Sequence, residues 1–147
     1  MKKLLYILLL MVISMTCFVF GFSKGLDQKE TMKQSFRTAL YQAEKDLKSL
    51  KLQSQVDVGQ ELHDLTFRSL EQKLQSMVMV YMTEVPIGPS TMKDAQDFLN
   101  NLNTFTSEQQ LTLYANKKHW AFDESVSFIN SGLDAIAKGE PANRQSE

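Results

Sequence analysis

Between Lys3 and Ser23 the chain runs for nineteen residues, Leu4 to Phe22, without one charged side chain. Leucine, isoleucine, valine, methionine and phenylalanine dominate the run, and Lys2 and Lys3 stand at its head. A helix of that length rises about 28 Å, close to the hydrocarbon thickness of a bilayer. Lysines ahead of such a segment keep that end cytoplasmic and send the downstream chain across. Everything after Phe22 is therefore expected to face water outside the cytoplasm.

Three fates compete for this segment. Leu4 to Ile13 has the length of a signal-peptide core, and Gly21-Phe22-Ser23 offers small residues where cleavage occurs. An uncleaved anchor needs the whole nineteen residues, and Phe18, Phe20 and Phe22 prolong the apolar run where a signal peptide turns polar. Lipidation at Cys17 is the third, although Ser14-Met15-Thr16 lacks the usual aliphatic residue three positions back and the small residue just before the cysteine. The short Lys-Lys start is bacterial in composition. The expected location is thus the cytoplasmic membrane with the C-terminal domain in the periplasm, or the periplasm or medium if the segment is removed.

Residues 1–22 are read as signal peptide or transmembrane anchor, 23–28 as a polar linker, 29–139 as a helical domain and 140–147 as a polar tail. The linker contains Gly25. In the first helix Met32, Phe36, Leu40, Ala43, Leu47 and Leu50 recur at steps of three and four, which places them on one face. Gln53 to Gly59 breaks the pattern. A second run holds Leu62, Leu65, Leu70, Leu74, Met77, Val78 and Tyr81, and ends at Val85-Pro86-Ile87-Gly88-Pro89, which no helix continues through. Ser90 or Thr91 is expected to cap a third helix with Met92, Ala95, Phe98, Leu99 and Leu102 inside. Thr106-Ser107-Glu108-Gln109 has the form of a capping box opening a fourth helix through Leu111, Tyr114 and Ala115. Asp123 opens the last, with Val126, Ile129, Leu133 and Ile136 inside; Gly139 ends it and Pro141 comes two residues later. The expected fold is all-α: a signal or anchor helix, then a compact bundle of about four to five amphipathic helices.

Charge and cysteine content exclude several functions. Residues 24–52 carry seven bases against four acids, and residues 53–147 seven against thirteen, within a chain of net charge −1. A mildly acidic domain is a poor nucleic-acid binder, because that binding needs clustered cations. Cys17 is the single cysteine and sits in the apolar run, so the domain has no internal disulfide and no thiolate metal site. No cofactor is expected. His63 and His119 lack a partner at helical ligand spacing. Met77, Met79 and Met82 could hold soft copper, but Met79 points about 160° from Met77 on a helix, so core packing accounts better for Met77. Acid pairs such as Asp94 with Asp97 sit at helix starts, where they complement the macrodipole. There is no nucleophile elbow and no phosphate-cradling loop. A non-enzymatic protein is expected.

Three surface candidates remain. Lys29, Lys33 and Arg37 recur at successive turns and form a candidate membrane-surface row. Val85 and Ile87 flank Pro86 in a stiff loop closed by Pro89 and are candidate partner-binding residues. Tyr114, Trp120 and Phe122, beside Lys117 and Lys118, form another aromatic candidate. The expected function is an envelope interaction protein, such as an assembly subunit or inhibitor, binding a protein partner while residues 4–22 engage the membrane.

Phe105-Thr106-Ser107-Glu108-Gln109 resembles the hydrophobic-Thr-x-x-Gln element of the Spy-type periplasmic stress chaperones. The resemblance covers five residues and occurs once. It implies an exported helical protein without catalytic groups, and gives the alternative expectation: a stress chaperone or metal-responsive protein.

Overall fold

The computed structural model describes the backbone of residues 2–56, 59–115 and 123–141, with side-chain surroundings for Gly25 and from Asp27 onward, Asp123 and Glu124 excepted. Among these residues the chain forms four α-helices and no strand: α1 Lys2–Gln53, α2 Gln60–Tyr81, α3 Pro89–Glu108 and α4 Asp123–Lys138. The all-α expectation holds. Contacts divide the chain into two compact units, Met1–Met32 and Lys33–Glu147.

In the first unit α1 is helical from Lys2 and continues through residues 23–28, where the sequence suggests a linker. One glycine costs a helix only about 1 kcal/mol, so Gly25 alone does not end it. The Thr31 hydroxyl donates to the Asp27 carbonyl at 2.8 Å, one turn back. Side chains of the apolar run 4–22 lie outside the described residues. Among the described residues, no helix is long and apolar enough to cross a membrane.

The second unit is a helical bundle around one core. Its part of α1 buries Phe36, Leu40, Ala43, Leu47 and Leu50, the stripe expected from the spacing. From α2 come Leu70, Leu74, Met77, Val78 and Tyr81; from α3 Ala95, Phe98, Leu99, Leu102 and Phe105; from α4 Ile129, Leu133 and Ile136. Each large apolar side chain so buried contributes about 1.5–3 kcal/mol against leaving it in water. Two cross-links fix the direction of α2 against α1. Gln53 Nε2 donates to Thr66 Oγ1 at 3.1 Å, and the Ser69 hydroxyl donates to the Asp46 carboxylate at 2.8 Å. Numbers rise along one helix as they fall along the other, so the pair is antiparallel.

α4 packs against both α2 and α3. Gly132 permits this approach: a methyl group there would collide with Val78 Cγ1. At its end α4 closes as expected. Gly139 takes φ +68°, Gly139 N–H donates to the Ile136 carbonyl at 3.1 Å, and Glu140 N–H donates to that of Ala135 at 3.0 Å. That pair of bonds is a Schellman stop.

Three local expectations are corrected. First, Leu62 and Leu65 are exposed. Counting back along α2 from Leu70 by three or four residues leads to Phe67, Thr66 and His63, the half-buried positions, so both leucines fall off the stripe. Second, α3 starts earlier than its expected caps. Gly88 is the N-cap, Pro89 takes the first helical position, and Thr91 is buried inside the helix. Third, no fourth helix opens at Thr106. Burial of Phe105 carries α3 on to Glu108, and the expected start is a stop. Gln110 N–H donates to the Ser107 carbonyl at 3.2 Å and Leu111 N–H to that of Thr106 at 2.9 Å, with Gln110 at φ +54°. The Thr106 hydroxyl donates back to the Asn103 carbonyl at 3.1 Å instead of capping Gln109. A capping box is a purely local signal, and here an aromatic ring seeking the core overrides it.

Candidate binding cleft

The end of α2, the loop after it and the end of α4 enclose a cleft of about 420 Å³. Its construction starts at Tyr81, the last residue of α2. Thr83 N–H donates to the Val80 carbonyl at 3.1 Å and Glu84 N–H to that of Tyr81 at 3.2 Å, which tightens the final turn. Glu84 then adopts φ +57°, a left-handed conformation that glycine usually supplies, and the chain reverses. Val85 turns inward and is buried, Pro86 is exposed, and Ile87 is half-buried. Pro89 fixes the chain as it enters α3. Opposite this loop, Gly139, Glu140 and Pro141 form the other wall, with Met92 of α3 also lining the space.

The cleft is mostly apolar, and among the described residues the only charged ones lining it are Glu84 and Glu140, both acids. Tyr81 lines it too. Only 6% of Tyr81 is exposed, and its hydroxyl has no hydrogen-bond partner among the described residues. Buried polar groups in folded proteins are nearly always paired, so a phenol without a partner among the described residues stands out. Burial first, and the nearby Glu140 carboxylate second, raise the Tyr81 phenol above its ordinary value.

A second polar arrangement is closed. Glu71 on α2 is 8% exposed, and its carboxylate accepts the backbone N–H of Tyr114. The Tyr114 hydroxyl donates to the Glu71 carbonyl at 3.1 Å. Burial raises the Glu71 carboxyl above the ordinary carboxylate range, against the opposing pull of the Tyr114 N–H and the Arg68 charge. Burial also pushes the Tyr114 phenol well up, and the Glu71 charge adds to it. Tyr114 is fully enclosed and sits at φ +57°. This pair holds the segment after α3 onto α2. It is a structural latch.

A third space, of about 320 Å³, lies between α1 and α3, where Lys48 and Lys51 of α1 and Asp94 and Asp97 of α3 line it. Cations and anions face it together, so it favours no one sign of ligand.

The predicted surface residues divide accordingly. Val85 and Ile87 both line the cleft, one buried and one half-buried. Tyr114 belongs to the core and is not a surface anchor. Trp120 and Phe122, with His119, lie outside the described residues. In the first unit Lys29 is exposed; in the second Lys33 is half-buried and Arg37 exposed. Arg37 Nε–H donates to Thr91 Oγ1 at 3.2 Å, so this cation holds α3 rather than standing apart on the surface. Met77 is buried whereas Met79 is 54% exposed, as helical geometry requires. Among the described residues, no three His, Cys, Asp or Glu side chains are grouped to hold a metal ion.

Glu71 is not among the candidates above, although the sequence carries a signal for it. It occupies a stripe position three residues before Leu74, where an acid has to be paired or costly. Nothing local marks Gly139 to Pro141 as a cleft wall, because that role depends on where α4 lands. No family model, curated protein or solved structure matches the chain.

Proposed function

We propose that this is a non-enzymatic interaction protein of a bacterial cell envelope, tethered by or exported with residues 4–22, whose helical domain binds a protein partner at the cleft beside Tyr81. The supporting observation is the pairing of a stiff apolar loop with a pre-formed cavity: Val85, Pro86 and Ile87 wall a space of about 420 Å³. Ligand sites are typically concave, mostly apolar and carry a few polar groups, and this cleft has that make-up. For the location, the support is the uncharged run Leu4 to Phe22 behind Lys2 and Lys3.

A photo-crosslinking residue placed at Glu84 in the full chain tests the binding reading. Irradiated membranes should yield one discrete adduct with an envelope protein, absent when the crosslinker is moved to Gln72 on the exposed side of α2. Adducts of equal yield at both positions, or none at either, would overturn it. A reporter fused at the C-terminus tests the location. Activity confined to the cytosol would refute it.

One observation favours a second reading, the stress chaperone. Leu52, Val56, Leu62 and Leu65 are all exposed around the turn between α1 and α2, apolar surface that an unfolded client could use. That reading requires suppression of client aggregation, reduced when the four residues are made serine; inactivity in that assay removes it. Calorimetric titration with copper or zinc checks the metal-responsive form.

A further inference from the structure

Resting on the interaction reading above, we propose that the cleft beside Tyr81 receives an apolar side chain from a partner polypeptide segment that carries a lysine or arginine next to it. Three observations select this occupant. The floor and walls are apolar, built from Val85, Ile87, Met92 and Pro141, and a cavity of about 420 Å³ accommodates a leucine- or phenylalanine-sized group. The charged lining is of one sign only, Glu84 and Glu140, with no base lining it among the described residues. Carboxylates at the mouth of a low-dielectric cleft attract a cation beside the buried group and reject an acidic segment. Finally, the Tyr81 hydroxyl, sealed from solvent, has no partner among the described residues, and a small turn of the ring on docking would let a backbone carbonyl of an extended segment accept its proton.

The same features disfavour a lipid surface. Anionic headgroups recruit clustered bases, and this rim offers the opposite charge. The loop is also stiff before anything binds, since Pro86 and Pro89 bracket Ile87 and Gly88, so little ordering cost attaches to docking.

The test uses the full chain in detergent and three labelled, amidated nonapeptides read by fluorescence anisotropy. One alternates lysine and leucine; the second replaces its lysines with glutamate; the third replaces its leucines with alanine. The lysine–leucine peptide should bind, and each replacement should weaken binding at least tenfold. In the chain, Glu84→Lys with Glu140→Lys reverses the rim at exposed positions and should cost a similar factor. Tyr81→Phe should weaken binding by a smaller factor, with the circular-dichroism spectrum unchanged in both variants. Equal binding of the glutamate peptide, or indifference to rim reversal, overturns the proposal. So does equal affinity for hexylammonium, which would assign the cleft to small amines, or binding seen only after residues 142–147 are removed, which would assign it to the chain's own tail. If no peptide binds yet the Glu84 crosslink still traps an envelope protein, the occupant is wrong and the interaction reading survives. If both fail, both fall.

Discussion

Tyr81 and Tyr114 are both buried tyrosines, each next to a reversal of the chain, and they end in opposite states. Tyr114 lies beyond α3, turns its ring wholly into the core and finds a partner for its hydroxyl and its backbone N–H in one residue, Glu71. Tyr81 ends α2 and is nearly as deeply buried, yet its hydroxyl meets no partner among the described residues. Both regions use a left-handed non-glycine residue to turn, Glu84 in one and Gln110 in the other. What separates them is completion. The Tyr114 region is finished by the fold, whereas the Tyr81 region keeps a cavity and, among the described residues, an unmet hydrogen bond, the features that make it the candidate site.

Four sets of substitutions can break or sharpen that contrast. The largest effect is expected from Tyr114→Ala, which empties a fully enclosed site and should cost about 3–5 kcal/mol in denaturant unfolding. A loss below about 1 kcal/mol, the size of an ordinary surface change, would show that the segment after α3 is not part of the core.

Next comes Glu71→Ala, which leaves the buried Tyr114 N–H without an acceptor and should cost about 1–3 kcal/mol. Glu71→Gln keeps an acceptor and isolates the charge. Because burial raises the Glu71 carboxyl in the folded state, its contribution is fully present below the unfolded carboxylate pKa and is lost as pH rises through the raised folded value. The wild type should therefore lose stability relative to Glu71→Gln as pH climbs from acid toward neutral. A constant difference across pH would contradict the buried, charge-averse site.

The tyrosine-to-phenylalanine pair tests the contrast most directly. Tyr114→Phe deletes a satisfied hydroxyl and should destabilise by about 1 kcal/mol, whereas Tyr81→Phe deletes one with no partner among the described residues and should be neutral or stabilising by a similar amount. Equal losses at both would mean that Tyr81 has a partner after all.

The smallest effect belongs to the turns. Gln110→Gly relieves a left-handed conformation and should stabilise by about 0.5–1 kcal/mol, net of the greater freedom that glycine gives the unfolded chain. Destabilisation would show that the Gln110 side chain contributes contacts of its own.

Legibility in the sequence tracked the range of each interaction. The stripes of α1, α3 and α4 were readable because three-and-four spacing on a long helix has one solution, and most of their residues are the buried ones. Leu62 and Leu65 misled because they are apolar but out of phase, and phase decides burial. The box at Thr106 misled because a cap pattern says where a helix could begin, not whether the preceding one has finished; Phe105 decided that by entering the core. Of the candidate site, Val85 and Ile87 are visible in the sequence as a stiff apolar loop, but not the want of a partner for Tyr81 among the described residues or the wall from Gly139 to Pro141. Those depend on α4 lying against α2.

By itself, then, the order of residues determined the helical class, the uncharged apolar run Leu4 to Phe22, the stop at Gly139 and the stiffness of the loop before α3. These arise from interactions within a few residues, where backbone geometry and hydrophobic phase leave little choice. Tertiary packing alone decided that the ends of α2 and α4 meet around an open, acid-rimmed cleft, and that Glu71 closes on Tyr114 while the Tyr81 hydroxyl finds no partner among the described residues. Both arrangements join groups far apart in the chain, Glu71 with Tyr114 and Tyr81 with Glu140, and only helices already seated on a common core can bring them within reach.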